Sequence, residues 1–299
     1  MQLLYPQNWT EYELIDSGNY EKLEKFGKYI IRRPEPQAVW RKSLSESEWE
    51  NRADATFKKE KVKNAQDGND KGVWIQKKGM PDQWFINYRY KDMDLRFRLG
   101  LTSFKHVGIF PEQAENWNFI YDTIKDSSIT EPKILNLFAY TGGASIAAKS
   151  AGADVTHVDS VKQVITWSRE NMEASGLDNI RWIVEDALKF CRREVKRGKK
   201  YNGIILDPPA YGRGPDGERW ILEENIAELM SLCSELLEDK SSFLILNLYS
   251  MGFSAVIAEN LIKDYFPDVK DCQYGELIIP ENSGKHLPLS VYARFTRKG

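Results

Sequence analysis

From residue 133 to residue 265 the sequence alternates between short apolar runs of β character and amphipathic stretches of helical period. The apolar runs are 133–138, 153–158, 180–184, 201–206 and 242–248; the helical stretches are 142–150, 161–175, 186–196, 218–237 and 254–265. Strands linked only through helices run parallel, and a parallel sheet is buried by helices on both faces. A further helix is expected over 111–126, where Pro111 suits the first turn and Ala114, Trp117, Ile120, Tyr121 and Ile124 recur on one face. Two closing strands, near 275–279 and 290–296, have no helical pattern between them and read as an antiparallel hairpin. The fold class is α/β: a mostly parallel sheet ending in that hairpin, preceded by something different.

The first hundred residues lack the alternation. Candidate strands at 29–32, 73–77, 84–90 and 95–99 are set among the turn-rich runs D-S-G-N, N-A-Q-D-G-N-D-K-G and K-D-M-D. The change of pattern predicts a small β-rich domain over 1–103 and an α/β domain over 104–299. Five of the nine tryptophans, Trp9, Trp40, Trp49, Trp74 and Trp84, fall in the first part. In a small β domain such rings usually form the core, and a base-stacking platform is the less common use. Lys and Arg outnumber Asp and Glu by 20 to 16 through residue 110, whereas the remainder carries 22 against 28. A mildly basic first part is compatible with nucleic-acid contact and equally with a solvated surface.

Apolar runs stop far short of a membrane span, and the start, M-Q-L-L-Y-P-Q-N, lacks the pattern of a signal peptide. Cys191, Cys233 and Cys272 form no C-x-x-C pair, so neither a zinc site nor a disulfide framework is expected. A reducing, cytoplasmic setting with no membrane and no metal is the expectation.

In an open parallel sheet, ligands bind beyond the carboxyl ends of the strands. After the first strand comes N-L-F-A-Y-T-G-G, residues 136–143, in which Gly142 and Gly143 permit a tight turn into a helix whose N-terminus can face an anion. A phosphate or the carboxylate of a methionine moiety would serve, and so would a turn with no ligand. The dinucleotide fingerprint G-x-G-x-x-G is absent. After the second strand, H-V-D-S places Asp159 17 residues beyond Gly142, able to accept both hydroxyls of a ribose or to cap the next helix. After the third, E-D-A places Asp186 to accept from an adenine amino group, again with capping as the alternative. After the fourth, D-P-P-A-Y spans 207–211; its two prolines fix a rigid turn and leave the Asp207 side chain and the carbonyls as acceptors.

These pieces resemble the class I S-adenosylmethionine-dependent methyltransferases related to the ribosomal RNA cytosine-5 and guanine-N7 large-subunit enzymes. The resemblance runs from about residue 104 to the end and rests on N-L-F-A-Y-T-G-G, H-V-D-S, E-D-A-L-K-F, D-P-P-A-Y-G-R-G and, upstream, H-V-G-I-F-P-E-Q. It implies a Rossmann-like methyltransferase sheet behind a small β-rich domain, S-adenosyl-L-methionine as cofactor, and RNA as substrate. The cofactor set it implies is Asn136, Phe138, Tyr140, Thr141, Gly142, Gly143, Asp159, Ser160, Asp186, Ala187 and Asp207, with Phe110 and Gln113 from the upstream segment. Phe138 or Tyr140 is placed to flank the sulfonium by cation–π attraction, or simply to fill the core. The closing hairpin agrees better with a methyltransferase sheet than with a dinucleotide-binding one.

One departure narrows the chemistry. The cytosine-5 enzymes need a nucleophilic cysteine after the fifth strand, where this chain has N-L-Y-S-M-G, residues 247–252. Direct in-line transfer to nitrogen or oxygen is expected instead, with Asp207 and the Pro208 carbonyl holding the acceptor group and Tyr211 stacking on a planar substrate or packing in its loop. Lys189, Arg192, Arg193, Lys196 and Arg197 share one helix face near Lys200, a stripe suited to phosphates or to plain solvation. The glycine-rich run 212–219 reads as a lid or a mobile connection. Two other readings stay open: a methyltransferase acting on a small molecule or protein side chain, and a nicotinamide-binding or non-catalytic Rossmann protein.

Overall fold

The computed structural model describes residues 1–7, 9–60, 71–249 and 252–298. The chain starts with β1 (Gln2–Leu4), followed by β2 (Tyr12–Gly18), β3 (Glu21–Phe26) and β4 (Tyr29–Pro34). Both hairpins have two-residue loops: Asn19 and Tyr20 at φ 51 and 64, then Gly27 and Lys28 with Gly27 at φ 63. Left-handed residues suit such loops because their twist matches that of the strands. Helix α1 (Glu46–Arg52), closed by a capping box between Ser45 and Glu48, leads to β5 (Ala55–Lys59) and β6 (Gly72–Gln76). Strands β2 to β6 form one sheet in chain order, and β7 (Gln83–Tyr90) and β8 (Met93–Gly100) form a separate hairpin. Most of the turn expected over 64–72 lies outside the described residues.

A 3₁₀ turn, Pro111–Gln113, opens α2 (Ala114–Lys125), and the alternation follows: β9 (Lys133–Leu137), α3 (Gly143–Ser150), β10 (Asp154–Asp159), α4 (Lys162–Ala174), β11 (Arg181–Val184) and α5 (Ala187–Lys196). After β12 (Gly203–Leu206) come two short strands, β13 (Tyr211–Arg213) and β14 (Arg219–Ile221), and then α6 (Leu222–Leu236). The chain ends with β15 (Ser242–Tyr249), α7 (Ala255–Tyr265), β16 (Gln273–Pro280) and β17 (His286–Arg297). The main sheet has the order β1-β16-β17-β15-β12-β9-β10-β11. All its pairings are parallel except those of β17 with β15 and β16, the closing hairpin the sequence predicts.

Alternate residues of the central strands enter two different cores. Ile134, Ile205, Phe243 and Ile245 pack on one face; Leu135, Leu137, Ile204, Leu206, Leu244 and Leu246 pack on the other. Burial of both faces is why these strands read as unbroken apolar runs. The first core continues into the N-terminal strands, where Trp117 of α2 lies 5.9, 5.5 and 5.1 Å from the rings of Trp9, Tyr88 and Phe97. Trp9, Trp49 and Trp84 are buried, so these rings serve the core and are not a stacking platform.

The run 212–219 lies within the β13–β14 hairpin, where Lys189 Nζ pairs with Asp216 and Glu218 at 2.5 and 3.0 Å. One sequence expectation is corrected. The helix expected over 218–237 begins only at Leu222, because Arg219–Ile221 is taken by that hairpin.

Candidate active site

Four strands end side by side. Leu137 pairs with Val158 on one side and Leu206 on the other, and Asp159 pairs with Val184, so Phe138, Asp159, Asp186 and Asp207 emerge along one sheet edge. The chain fills the sheet from β9 outward through β10 and β11, then returns to β12 on the other side of β9. That reversal between β9 and β12 opens a crevice between their following loops.

The loop after β9 is held in an unusual conformation. Phe138 and Tyr140 have φ of 54 and 48, and Gly142 has φ 87. Bulky residues in the left-handed region cost on the order of 1–3 kcal/mol each and persist only when their surroundings hold them. Here the Tyr140 N–H donates to Asp159 Oδ2 at 2.9 Å, and the Ser168 hydroxyl donates to the Tyr140 carbonyl at 2.7 Å. Asn171 Nδ2 donates to the Thr141 carbonyl at 2.9 Å, and the Thr141 hydroxyl donates to the Gly108 carbonyl at 2.6 Å. Beneath the loop, Asn136 Nδ2 donates to Ser145 Oγ at 2.9 Å, and that oxygen lies 3.0 Å from His157 Nδ1. Burial pushes His157 down to about 3, so the ring is neutral. At Gly143 a Cβ would stand 2.7 Å from the Trp117 ring, so glycine is needed there for space.

The carboxylates differ in their partners. Asp159 also accepts the Val161 N–H at 2.9 Å; it therefore ties two loops together rather than capping α4, and burial raises its carboxyl. Asp186 is the N-cap of α5, accepting the Lys189 N–H at 2.9 Å, so the capping role does apply to it. Asp207 makes no side-chain hydrogen bond among the described residues, and burial, with the charge of Glu112 second, pushes it up to about 7. The Pro209 carbonyl is occupied by Trp220 Nε1 at 2.6 Å, and the Trp220 ring lies 4.7 Å from Phe138. Tyr211 opens β13 with 53 % of its surface exposed.

A cleft of ≈ 1080 Å³ joins these groups. Of the residues expected from sequence, Phe110, Gln113, Phe138, Tyr140, Asp159, Ser160, Asp186, Ala187, Asp207, Pro208 and Tyr211 line it. Asn136, Thr141, Gly142 and Gly143 do not; they line a narrow recess of ≈ 50 Å³ together with Gln113, Phe138, Tyr140 and Asp207. Phe110 and Tyr140 stand 5.2 Å apart in the cleft wall. Gln113 Oε1 accepts from Asn116 Nδ2, which also donates to Asn247 Oδ1 at the end of β15, both at 2.9 Å. Glu112 from the 3₁₀ turn, inside the H-V-G-I-F-P-E-Q segment, also lines the cleft, as do Lys22 of β3, Arg33 of β4 and Glu35 just after it, which carry no motif signal. Only placement in the fold reveals the last three.

Cys191 and Cys233 are buried, and none of the three cysteines lines the cleft. Ser250 and Met251 of the 247–252 run lie outside the described residues. The stripe on α5 is largely neutralised: Lys189 pairs with Asp216 and Glu218, Arg192 with Glu228, Arg193 with Glu185 and Arg197 with Glu194. This pairing agrees with the solvated reading of the stripe. No helix among the described residues is long and apolar enough to cross a membrane.

Residues 103–242 match the family model described as conserved hypothetical protein 95. Over its full length the chain is similar to a crystal structure of a SAM-dependent methyltransferase from Agrobacterium tumefaciens, with 36 % identity, 94 % of that chain covered and a TM-score of 0.89. It is 30 % identical to the ribosomal RNA large subunit methyltransferase K/L of Shewanella frigidimarina over 51 % of this chain and 21 % of that protein. It is 35 % identical to the ribosomal RNA large subunit methyltransferase I of Aeromonas salmonicida over 42 % of this chain and 29 % of that one. The matches thus span less than a third of these two curated relatives' own length.

Proposed function

The chain belongs to the class I S-adenosylmethionine-dependent methyltransferases, and from that premise we propose that it methylates RNA. The observation that carries the reading is the single cleft joining the strained loop after β9, the strand-end carboxylates and the D-P-P-A-Y turn. The fit to the cofactor rests on the donor set. Asp159 and Asp186 offer acceptors for a ribose and an adenine amino group, Phe138 and Tyr140 offer aromatic faces, and Asp207 is a half-buried acceptor with no side-chain hydrogen-bond partner among the described residues. When bound, S-adenosylmethionine supplies an activated methyl group.

The protein's part is position and electrostatics. Asp207 and the Pro208 carbonyl hold the acceptor group, and exposed Tyr211 stacks on its ring. With no cysteine in the cleft, transfer is direct, to nitrogen or oxygen, without a covalent enzyme intermediate. RNA is favoured over a small molecule or a protein side chain by the names of the curated relatives and by the open cleft with its exposed aromatic edge. A cytoplasmic setting agrees with the three free cysteines.

The test is calorimetry with S-adenosylmethionine, S-adenosylhomocysteine and NAD, followed by RNA binding across a salt series. Tight binding of the first two and a salt-sensitive RNA affinity support the reading; NAD binding alone contradicts it.

A further inference from the structure

The 3₁₀ turn that opens α2 brings a second carboxyl into the cleft. Glu112 lines it together with Asp207, is 5 % exposed, and makes no side-chain hydrogen bond to another residue among those described. The charged groups around it come from β3, the end of β4 and the turn after β12: Lys22, Glu24, Arg33, Glu35 and Asp207. Both cations are already engaged. Lys22 lies 3.1 Å from Glu35 and 3.5 Å from Glu24, and Arg33 Nε lies 2.6 Å from Glu24. Glu112 has no ion-pair partner in that network and bonds only to its own backbone, which leaves its carboxylate free to act on whatever fills the cleft.

Burial pushes Glu112 up to about 7 against the pull of Lys22 and Arg33, while Glu112 in turn adds to the rise of Asp207. Each carboxyl disfavours ionisation of the other, so near neutrality the pair tends to hold one proton. An amino group presents two N–H donors, and Asp207 and Glu112 supply two acceptors in one cleft.

We propose that Glu112 is the proton acceptor of this methyltransferase and that the methyl acceptor is an amino nitrogen rather than a ring nitrogen with a bare lone pair. The proposal rests on the methyltransferase reading above. The acceptor's lone pair forms the bond to the methyl carbon while the carbon–sulfur bond breaks and its electron pair passes to sulfur. The proton released by the nitrogen passes to the Glu112 carboxylate and then to solvent. A bare ring nitrogen would finish cationic, with no proton to release.

The experiment uses the full chain, Glu112→Gln, Glu112→Asp and Asp207→Asn. Carboxyl titration by carbon-13 NMR needs no substrate: Glu112 should titrate near neutrality, and Asp207→Asn should bring its midpoint down. In single-turnover transfer, Glu112→Gln should lose about 10²–10⁴-fold and the acid limb of the pH profile. It should bind S-adenosylhomocysteine within about twofold of the unaltered protein, since general-base loss leaves cofactor affinity intact. Glu112→Asp should restore part of the rate and the limb, and the product should be an N-methylated amine. An ordinary Glu112 titration indifferent to Asp207→Asn overturns the proposal, as does an unchanged pH profile in Glu112→Gln or a quaternised ring product. If the unaltered protein methylates no RNA, the RNA reading fails, while the titration still decides whether the two carboxyls act as a pair.

Discussion

Asp159 accepts the backbone N–H of Tyr140 at 2.9 Å, so the end of one strand holds the left-handed turn that follows its neighbour. The same carboxylate accepts the Val161 N–H, which leaves it shared between two loops. Hydrogen bonds to a charged group contribute roughly 1.5–3 kcal/mol. Asp159→Ala should therefore weaken S-adenosylhomocysteine binding by at least about tenfold and lower the melting temperature. Calorimetry and thermal unfolding read the two effects, and an unchanged affinity would remove Asp159 from the cofactor site.

Gly143 faces Trp117 so closely that a Cβ would lie 2.7 Å from the ring. Trp117 is packed among Trp9, Tyr88 and Phe97 and has little room to retreat. Overpacking of this kind costs about 1–3 kcal/mol. Gly143→Ala should reduce stability in denaturant titration by that amount and weaken cofactor binding as the loop shifts. A melting curve superimposable on the parent would show that the ring gives way.

The raised carboxyl of Asp207 sets the sign of a pH effect. Its ordinary value is 3.8 and its folded value about 7, so the folded protein holds the proton over that interval. Folding then takes up a proton, and stability falls as pH rises from about 4 to about 7. Asp207→Asn abolishes this titration, so its melting temperature should gain on that of the unaltered protein across the same window. Parallel curves would show that Asp207 ionises at its ordinary value.

The cations of α5 are tied to carboxylates, Arg192 to Glu228 and Arg193 to Glu185. Exposed pairs of this kind contribute little. Arg192→Gln should leave RNA affinity within about twofold and the salt slope unchanged, because removing a cation that neutralises a phosphate would alter that slope by about one. A shallower slope would place the RNA on this helix after all.

The parallel half of the fold was legible because its strands are buried on both faces and its helices on one, and each pattern has its own period. Asp159, Asp186 and Asp207 were legible because topology forces strand ends to one edge. Strands β2 and β3 were not. They carry Y-E-L-I-D-S-G and E-K-L-E-K-F, in which Asp16, Lys22 and Glu24 are buried. Asp16 accepts from the Ser43 and Leu44 N–H groups and from Trp49 Nε1, and Lys22 and Glu24 pair with each other. Buried charge hides the alternation that would mark a strand. Glu112 escaped for another reason: it stands between two residues of a recognisable segment, and only the fold sets it in the same cleft as Asp207.

Methyl transfer to RNA from this cleft can be read in one assay, with methyl-labelled S-adenosylmethionine and fractionated RNA, protein and metabolites. Label should appear in RNA and be lost with Asp207→Ala while S-adenosylhomocysteine binding persists. Label confined to protein or metabolites, or undiminished transfer by Asp207→Ala, would rule that chemistry out.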